Sequence, residues 1–374
     1  MSAQFVSVDI ENNAGNAIED FPYNTRIVEN TKKNNKKKYC IVFSCVALCI
    51  VAGGAAAAGI LLSKNTGSAS SSPRPPRPPP SPPRPPHSPR PKTGVSSGSY
   101  LYEQPPFYPK QGFEAMWWDE FDGDEIDRSK WYVQPDVTDY YTVRGELQHY
   151  IDDPTTVDVY NGTLSIIASN PKGVQYDKKK SNYDQTYYTS ARINTNRTGG
   201  HWNPGMIVDN STWSSIRIES RLRVSRGPGV VNAFWMLPVV NKCNAEIDIF
   251  ETIRCTKVYS GSWVTKGDTY HKNGFEAGEN YDRFCDEYVV YAIEWSAESI
   301  SYYVDDKLIG TTDVGAWYGK CPEENDPLAP YANSPFYLIL NVPIGTNWSG
   351  VPQNDIFPTA MSVDYVRVSG VRNT

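Results

Sequence analysis

Residues 215–224 read SIRIESRLRV, and this strict alternation constrains the fold more than any other stretch of the chain. Ile216, Ile218, Ser220, Leu222 and Val224 fall on one face, with Arg217, Glu219, Arg221 and Arg223 on the other. A period of two sends successive side chains to opposite faces of a strand, so one face is dry and the other wet. That pattern belongs to an antiparallel sheet packed on one side only. Leu164, Ile166 and Ala168 repeat it, and residues 299–304 and 307–311 flank Asp305-Asp306 as the arms of a hairpin. No long stretch shows helical periodicity. Short strands separated by Gly, Asn and Asp turns through residues 99–374 predict one large all-β sandwich or jelly roll.

The first 98 residues cannot belong to that domain. Residues 39–62 (YCIVFSCVALCIVAGGAAAAGILL) carry no charge, and as a helix they would measure about 36 Å, enough to cross a hydrocarbon core of about 30 Å. Five lysines (Lys32, Lys33, Lys36, Lys37 and Lys38) precede this run and only Lys64 follows closely. The positive-inside rule then leaves residues 1–38 as a cytoplasmic tail and makes residues 39–62 a transmembrane signal anchor. The rest of the chain would lie outside the cytoplasm, at the cell surface, in the secretory pathway or on a virion. Residues 63–98 include SSPRPPRPPPSPPRPPHSPRPK, in which proline fixes φ and removes backbone donors. This segment predicts an extended spacer of about 3.1 Å per residue. The sequons at Asn161, Asn196, Asn210 and Asn347 are consistent with that side of a membrane.

Charge narrows the partners. The whole chain carries −6; residues 1–38 contribute +1 and residues 63–98 contribute +6, which leaves −13 on residues 99–374. Phosphate backbones require clustered Lys and Arg, so this domain is a poor candidate for nucleic acid. Sulfated or uronic polysaccharides are disfavoured for the same reason, and a neutral substrate fits. Cys243, Cys255, Cys285 and Cys321 lie in the domain, an even count compatible with two disulfides. Three connectivities are open, although a 243–255 pair would be too far apart across an extended strand.

The chemistry resides in residues 245–252, AEIDIFET. In a flat strand Glu246 and Asp248 share a face while Glu251 points away. One bulged residue between Asp248 and Glu251 brings all three to one face. The two glutamates would then have Cα atoms about 13 Å apart, at about 3.3 Å per step, with long side chains able to lean together over a concave sheet. Carboxyls about 5–5.5 Å apart are the arrangement that cleaves glycosides with retention. Glu246 would act as nucleophile and Glu251 as general acid/base, with Asp248 hydrogen-bonding between them. Crowded negative charge is expected to raise the pKa of one glutamate toward that of an acid catalyst.

Around this motif the domain resembles glycoside hydrolase family 16, laminarinase branch. The resemblance runs through WWDEFDG (117–123), GELQHYI (145–151), YTSARINT (188–195), AFWMLP (233–238) and EIDIFE (246–251). It continues through YAIEWSAESISYYVDD (291–306), FYLILNVPIGTNWSG (336–350) and VDYVRV (363–368). The resemblance implies a jelly roll of two curved antiparallel sheets with a cleft on the concave face. It implies an endo-β-glucanase that cuts internal β-1,3, or mixed β-1,3/1,4, bonds of a cell-wall or storage glucan. Trp235 would floor the cleft and Arg192 would donate to sugar hydroxyls. No cofactor would be required for catalysis. A structural calcium on the convex face is expected from the family, with Glu120 and Asp364 as candidate ligands. The chain departs from the family pattern at Val231-Asn232-Ala233-Phe234-Trp235, where one tryptophan platform is lost. It departs again at Trp263, where an active-site histidine is expected. A transglycosylase using the same intermediate, or a non-catalytic glucan-binding protein, are the alternatives.

Overall fold

The computed structural model describes residues 27–30, 38–41, 106–135, 146–175, 188–208, 211–240, 244–266, 269–317, 331 and 334–373. Near the N-terminus, β1 (Ile27–Asn30) and β2 (Lys38–Ile41) form an antiparallel pair. The expected membrane helix therefore begins with three residues in a strand, and residues 42–62 lie outside the described residues, as does the spacer at 63–98. Among the described residues, no helix is long and apolar enough to cross a membrane.

The domain is two antiparallel sheets packed face to face. The inner sheet has the order β16 (Thr269–Gly278), β15 (Lys257–Lys266), β14 (Glu246–Arg254), β13 (Asn232–Pro238), β20 (Phe336–Asn341), β9 (Arg192–Asn194) and β4 (Tyr132–Val133). A short β10 (His201–Trp202) also pairs with β20. The outer sheet has the order β19 (Lys307–Asp313), β18 (Ser299–Val304), β17 (Val289–Ser296), β12 (Ser211–Arg223), β21 (Thr359–Asn373), β7 (Leu164–Ala168) and β6 (Val157–Val159). Two further strands pair alongside it: β11 (Ile207–Val208) with β12, and β3 (Glu114–Asp119) with β21. A small parallel pair, β5 (Gln148–Tyr150) with β8 (Tyr188–Ser190), completes the domain.

The alternation at 215–224 sits in β12 as expected. Ile216, Ile218, Ser220 and Leu222 are fully buried between the sheets. The outward face departs from the expectation of a wet surface, because Arg217 is only 3 % exposed. Its guanidinium donates to Glu219, Glu294 and Asp306 at 2.6–2.8 Å, and this three-way compensation is what lets it leave water. The Asp305-Asp306 hairpin is also present. Both residues adopt positive φ (48° and 60°), the handedness that a tight turn needs to match strand twist.

One disulfide lies among the described residues. Cys255 joins Cys285, with Cα atoms 5.0 Å apart. It ties the turn between β14 and β15 to the short helix α1 (Arg283–Asp286). Closing a loop of 30 residues restricts the unfolded chain by about 3–4 kcal/mol. Cys243 and Cys321 lie outside the described residues.

Candidate active site

The decisive local feature is the bulge in β14. Against β13, Phe250 pairs with Phe234 while Asp248 pairs with Trp235, so Ile249 is the extra residue. Against β15, Asp248 pairs with Gly261 and Glu251 with Tyr259, three steps matched by two. Ile249 and Phe250 both turn into the core, 1 % and 0 % exposed. Glu246, Asp248 and Glu251 share the opposite face. The unpaired carbonyl of Ile249 is not wasted, because the Ser260 hydroxyl donates to it at 2.8 Å. A buried carbonyl without a partner would cost about 1–3 kcal/mol.

Cross-strand register sets the neighbours. The row through Glu251 reads Tyr259, Glu251, Ala233, Asn341, Arg192. The row through Asp248 reads Gly261, Asp248, Trp235, Ile339, Asn194. Trp263 stands opposite Glu246. Ala233, Trp235 and Ile339 form a small apolar cluster of their own, separate from the main core. Asp248, 2 % exposed, accepts a hydrogen bond from the indole N–H of Trp263. The residue at the expected histidine position thus serves as the donor to the central carboxylate. An indole N–H donates only and does not titrate in the physiological range. The Tyr331 hydroxyl lies 3.2 Å from the Glu246 carbonyl and 2.5 Å from that of Trp263, which pins these two strands together at Glu246. Burial pushes the Tyr331 phenol well above its ordinary pKa, so it remains a neutral donor.

Trp235 is held by a polar chain that the sequence did not disclose. Its indole donates to Asn341 Oδ1 at 2.8 Å, and Asn341 Nδ2 donates to the Tyr150 hydroxyl at 2.9 Å. Tyr150 lies 3.5 Å from Glu146 Oε2, and Gln148 donates to the same oxygen at 2.6 Å. Gln148 Oε1 in turn accepts from the Ile344 amide. The only trace of this network in the sequence was its residence in GELQHYI and FYLILN. Arg192 and Trp235, expected to touch sugar separately, are stacked on each other with the guanidinium 4.8 Å from the ring centroid. Trp235 is 6 % exposed, so it supports the cleft wall more than it offers an open stacking face.

The sequence model of glycosyl hydrolases family 16 matches residues 168–350. The beta-glucanase of Rhodothermus marinus is 31 % identical over 275 residues, covering 68 % of this chain and 85 % of that protein. The chain belongs to glycosyl hydrolase family 16. The family relative named glucan endo-1,3-beta-glucosidase A1, from Niallia circulans, is 31 % identical over 280 residues, 69 % of this chain, and the chain spans 38 % of that protein's length. Among solved structures of the family, the laminarinase from Rhodothermus marinus superposes with a TM-score of 0.54 at 28 % identity, over 69 % of this chain and 97 % of that one.

Glu120 and Asp364, the residues offered for a structural calcium, each lie beside a guanidinium. Arg367 grips both Glu120 oxygens at 2.7 and 2.8 Å, and Arg221 donates to Asp364 at 2.7 Å. Each carboxylate is already compensated by a guanidinium. Among the described residues no group of three or more His, Cys, Asp or Glu is placed to hold a metal ion.

Proposed function

We propose that this chain is a retaining endo-β-glucanase acting on internal β-1,3, or mixed β-1,3/1,4, bonds of a neutral glucan. The observation that carries this reading is the β14 bulge, which turns Glu246, Asp248 and Glu251 onto one face. Relatives named as a glucan endo-1,3-beta-glucosidase from Niallia circulans and a beta-glucanase from Rhodothermus marinus support the substrate class. Glu246 attacks the anomeric carbon while Glu251 gives its proton to the departing oxygen, and the glycosidic bond breaks as the glycosyl ester forms. Glu251, now a carboxylate, takes a proton from water. The water oxygen attacks the same carbon, and Glu246 leaves with its original charge. Two inversions give net retention. Asp248, fixed by Trp263, orients the pair. The apolar, uncharged run at residues 39–62 supports a membrane tether with the catalytic domain outside the cytoplasm.

The test incubates the full-length chain with laminarin, lichenan, agarose and carrageenan and follows reducing ends and product anomers. Short β-products from laminarin are expected. Glu246→Gln and Glu251→Gln should each lower turnover at least about a thousandfold, or about 4 kcal/mol of barrier. Products longer than a supplied oligosaccharide would make the chain a transglycosylase. Equal laminarin binding by wild type and Glu246→Gln, with no turnover, would leave a glucan-binding protein, as one relative from Penaeus monodon is named.

A further inference from the structure

The hairpin between β6 and β7 turns on two residues, Asn161 and Gly162, with φ of 52° and 73°. The Tyr160 amide donates to the Thr163 carbonyl at 3.0 Å, and the Thr163 amide donates back to the Tyr160 carbonyl at 3.2 Å. Two positive φ values inside a mutually bonded pair are the pattern of a type I′ turn, for which Asn-Gly is a favoured dipeptide. Residues paired in this way send their side chains to one face. Strand parity says which face. Val159 and Leu164 are buried between the sheets, so Tyr160 and Thr163, one step from each, point away from the core. The Tyr160 ring is 78 % exposed, and Asn161 is exposed beside it. Alone, such a ring needs no explanation. Here it adjoins the acceptor of Asn161-Gly162-Thr163, an N-glycosylation tripeptide.

The other tripeptides sit differently. Asn196 lies half-buried in a 3₁₀ turn, and the Thr198 hydroxyl is engaged by the carbonyls of Lys130 and Thr195. Asn347 precedes Trp348, which meets Tyr259 edge-on at 5.2 Å in the row of Glu251, so sugars there would stand beside the acids. Asn210 lies outside the described residues. A glycan is bulky and must reach solvent from the finished fold. At Asn161 it does so from the end strand of the outer sheet, on the side of the sandwich opposite the acids.

We propose that Asn161 carries an N-linked glycan whose first sugar packs its C–H face on the Tyr160 ring. The transfer joins the Asn161 amide nitrogen to C1 of a sugar carried on a lipid-linked pyrophosphate. The C1–O bond breaks, the pyrophosphate leaves with its electron pair, and one amide proton passes to a base of the transferase. Ring and sugar meet in this geometry only when the turn is formed, so their contact stabilises the folded hairpin. The proposal rests on the reading that puts the domain outside the cytoplasm, and it does not need glucanase activity.

The experiment expresses the full-length chain in a eukaryotic secretory host and prepares sealed microsomes. Peptide N-glycanase in heavy-oxygen water converts each glycosylated Asn to labelled Asp, which mass spectrometry of the peptides reads. Label is expected at Asn161. Removing the glycans should lower the thermal midpoint of the wild type in detergent by about 2 °C. In Tyr160→Ala, which keeps the tripeptide, removal should lower it by less than about 0.5 °C. Other glycans and the Asp left behind are common to both proteins, so the difference isolates the ring. Equal shifts in the two proteins would overturn the proposal. So would an unlabelled Asn161 in a domain that sealed microsomes protect from added protease, which would leave the membrane tether standing. A domain digested by that protease faces the cytoplasm, and the tether reading then falls together with the proposal.

Discussion

The two sheets of this domain handle buried charge in opposite ways. On the outer sheet, carboxylates are held by guanidinium groups. Arg217 joins Glu219, Glu294 and Asp306, Arg367 grips Glu120, and Arg221 holds Asp364. Burial alone would raise the Glu294 pKa, but hydrogen bonds and charge from Lys110 and Arg217 outweigh it and hold the carboxyl below its ordinary value. On the inner sheet, Asp248 accepts from a neutral indole, and aromatic residues stand beside the acids. Full compensation locks a carboxylate in one charge state. Proton transfer to a sugar oxygen requires a carboxyl that can change state. The outer sheet fixes its charges, and the proposed glucanase reading needs a carboxyl of the inner sheet to change its own.

That contrast can be broken by exchanging one residue on each side. The largest effect on stability is expected from Arg217→Met, which strands three carboxylates around a buried site. Chemical denaturation should show a loss of about 3–5 kcal/mol, while kcat at low temperature stays near wild type. A fall in kcat without loss of stability would abolish the division between the sheets. Trp263→Phe is the reverse case. It keeps an aromatic ring and removes only the donor to Asp248, so kcat should fall about tenfold to a hundredfold, or about 1.4–2.7 kcal/mol, with a smaller change in denaturation midpoint. Ser260→Ala sharpens the comparison, because this hydroxyl serves the bulge from the core side. It should cost about 1–2 kcal/mol of stability and lower kcat only through the geometry of Glu251.

Legibility in the sequence followed the range of the interactions. The β12 alternation, the Asp305-Asp306 turn and the bulge were all readable, since each is set by residues within a few positions. The AEIDIFET spacing alone required the extra residue. The partners of Glu120 and Asp364 were not readable, because Arg367 and Arg221 lie 247 and 143 positions away and meet them only through strand order. Each acid offered as a calcium ligand is also half of an ion pair. The Cys255–Cys285 bridge was one of several open pairings for the same reason. Trp263 was noticed only as a departure from a family pattern. Its hydrogen bond to Asp248 needed the register of β14 against β15.

The bulge also sets a rule about mutation. A strand has parity, and Ile249 reverses it between Asp248 and Glu251. Losing that single residue would space Glu246, Asp248 and Glu251 two apart, and a regular strand would then present all three on one face without a bulge. Flattening the bulge without shortening the chain would instead turn Glu251 toward the core, away from the face of Glu246 and Asp248. The extra residue and the bulge must therefore be lost together or not at all if the three acids are to keep one face.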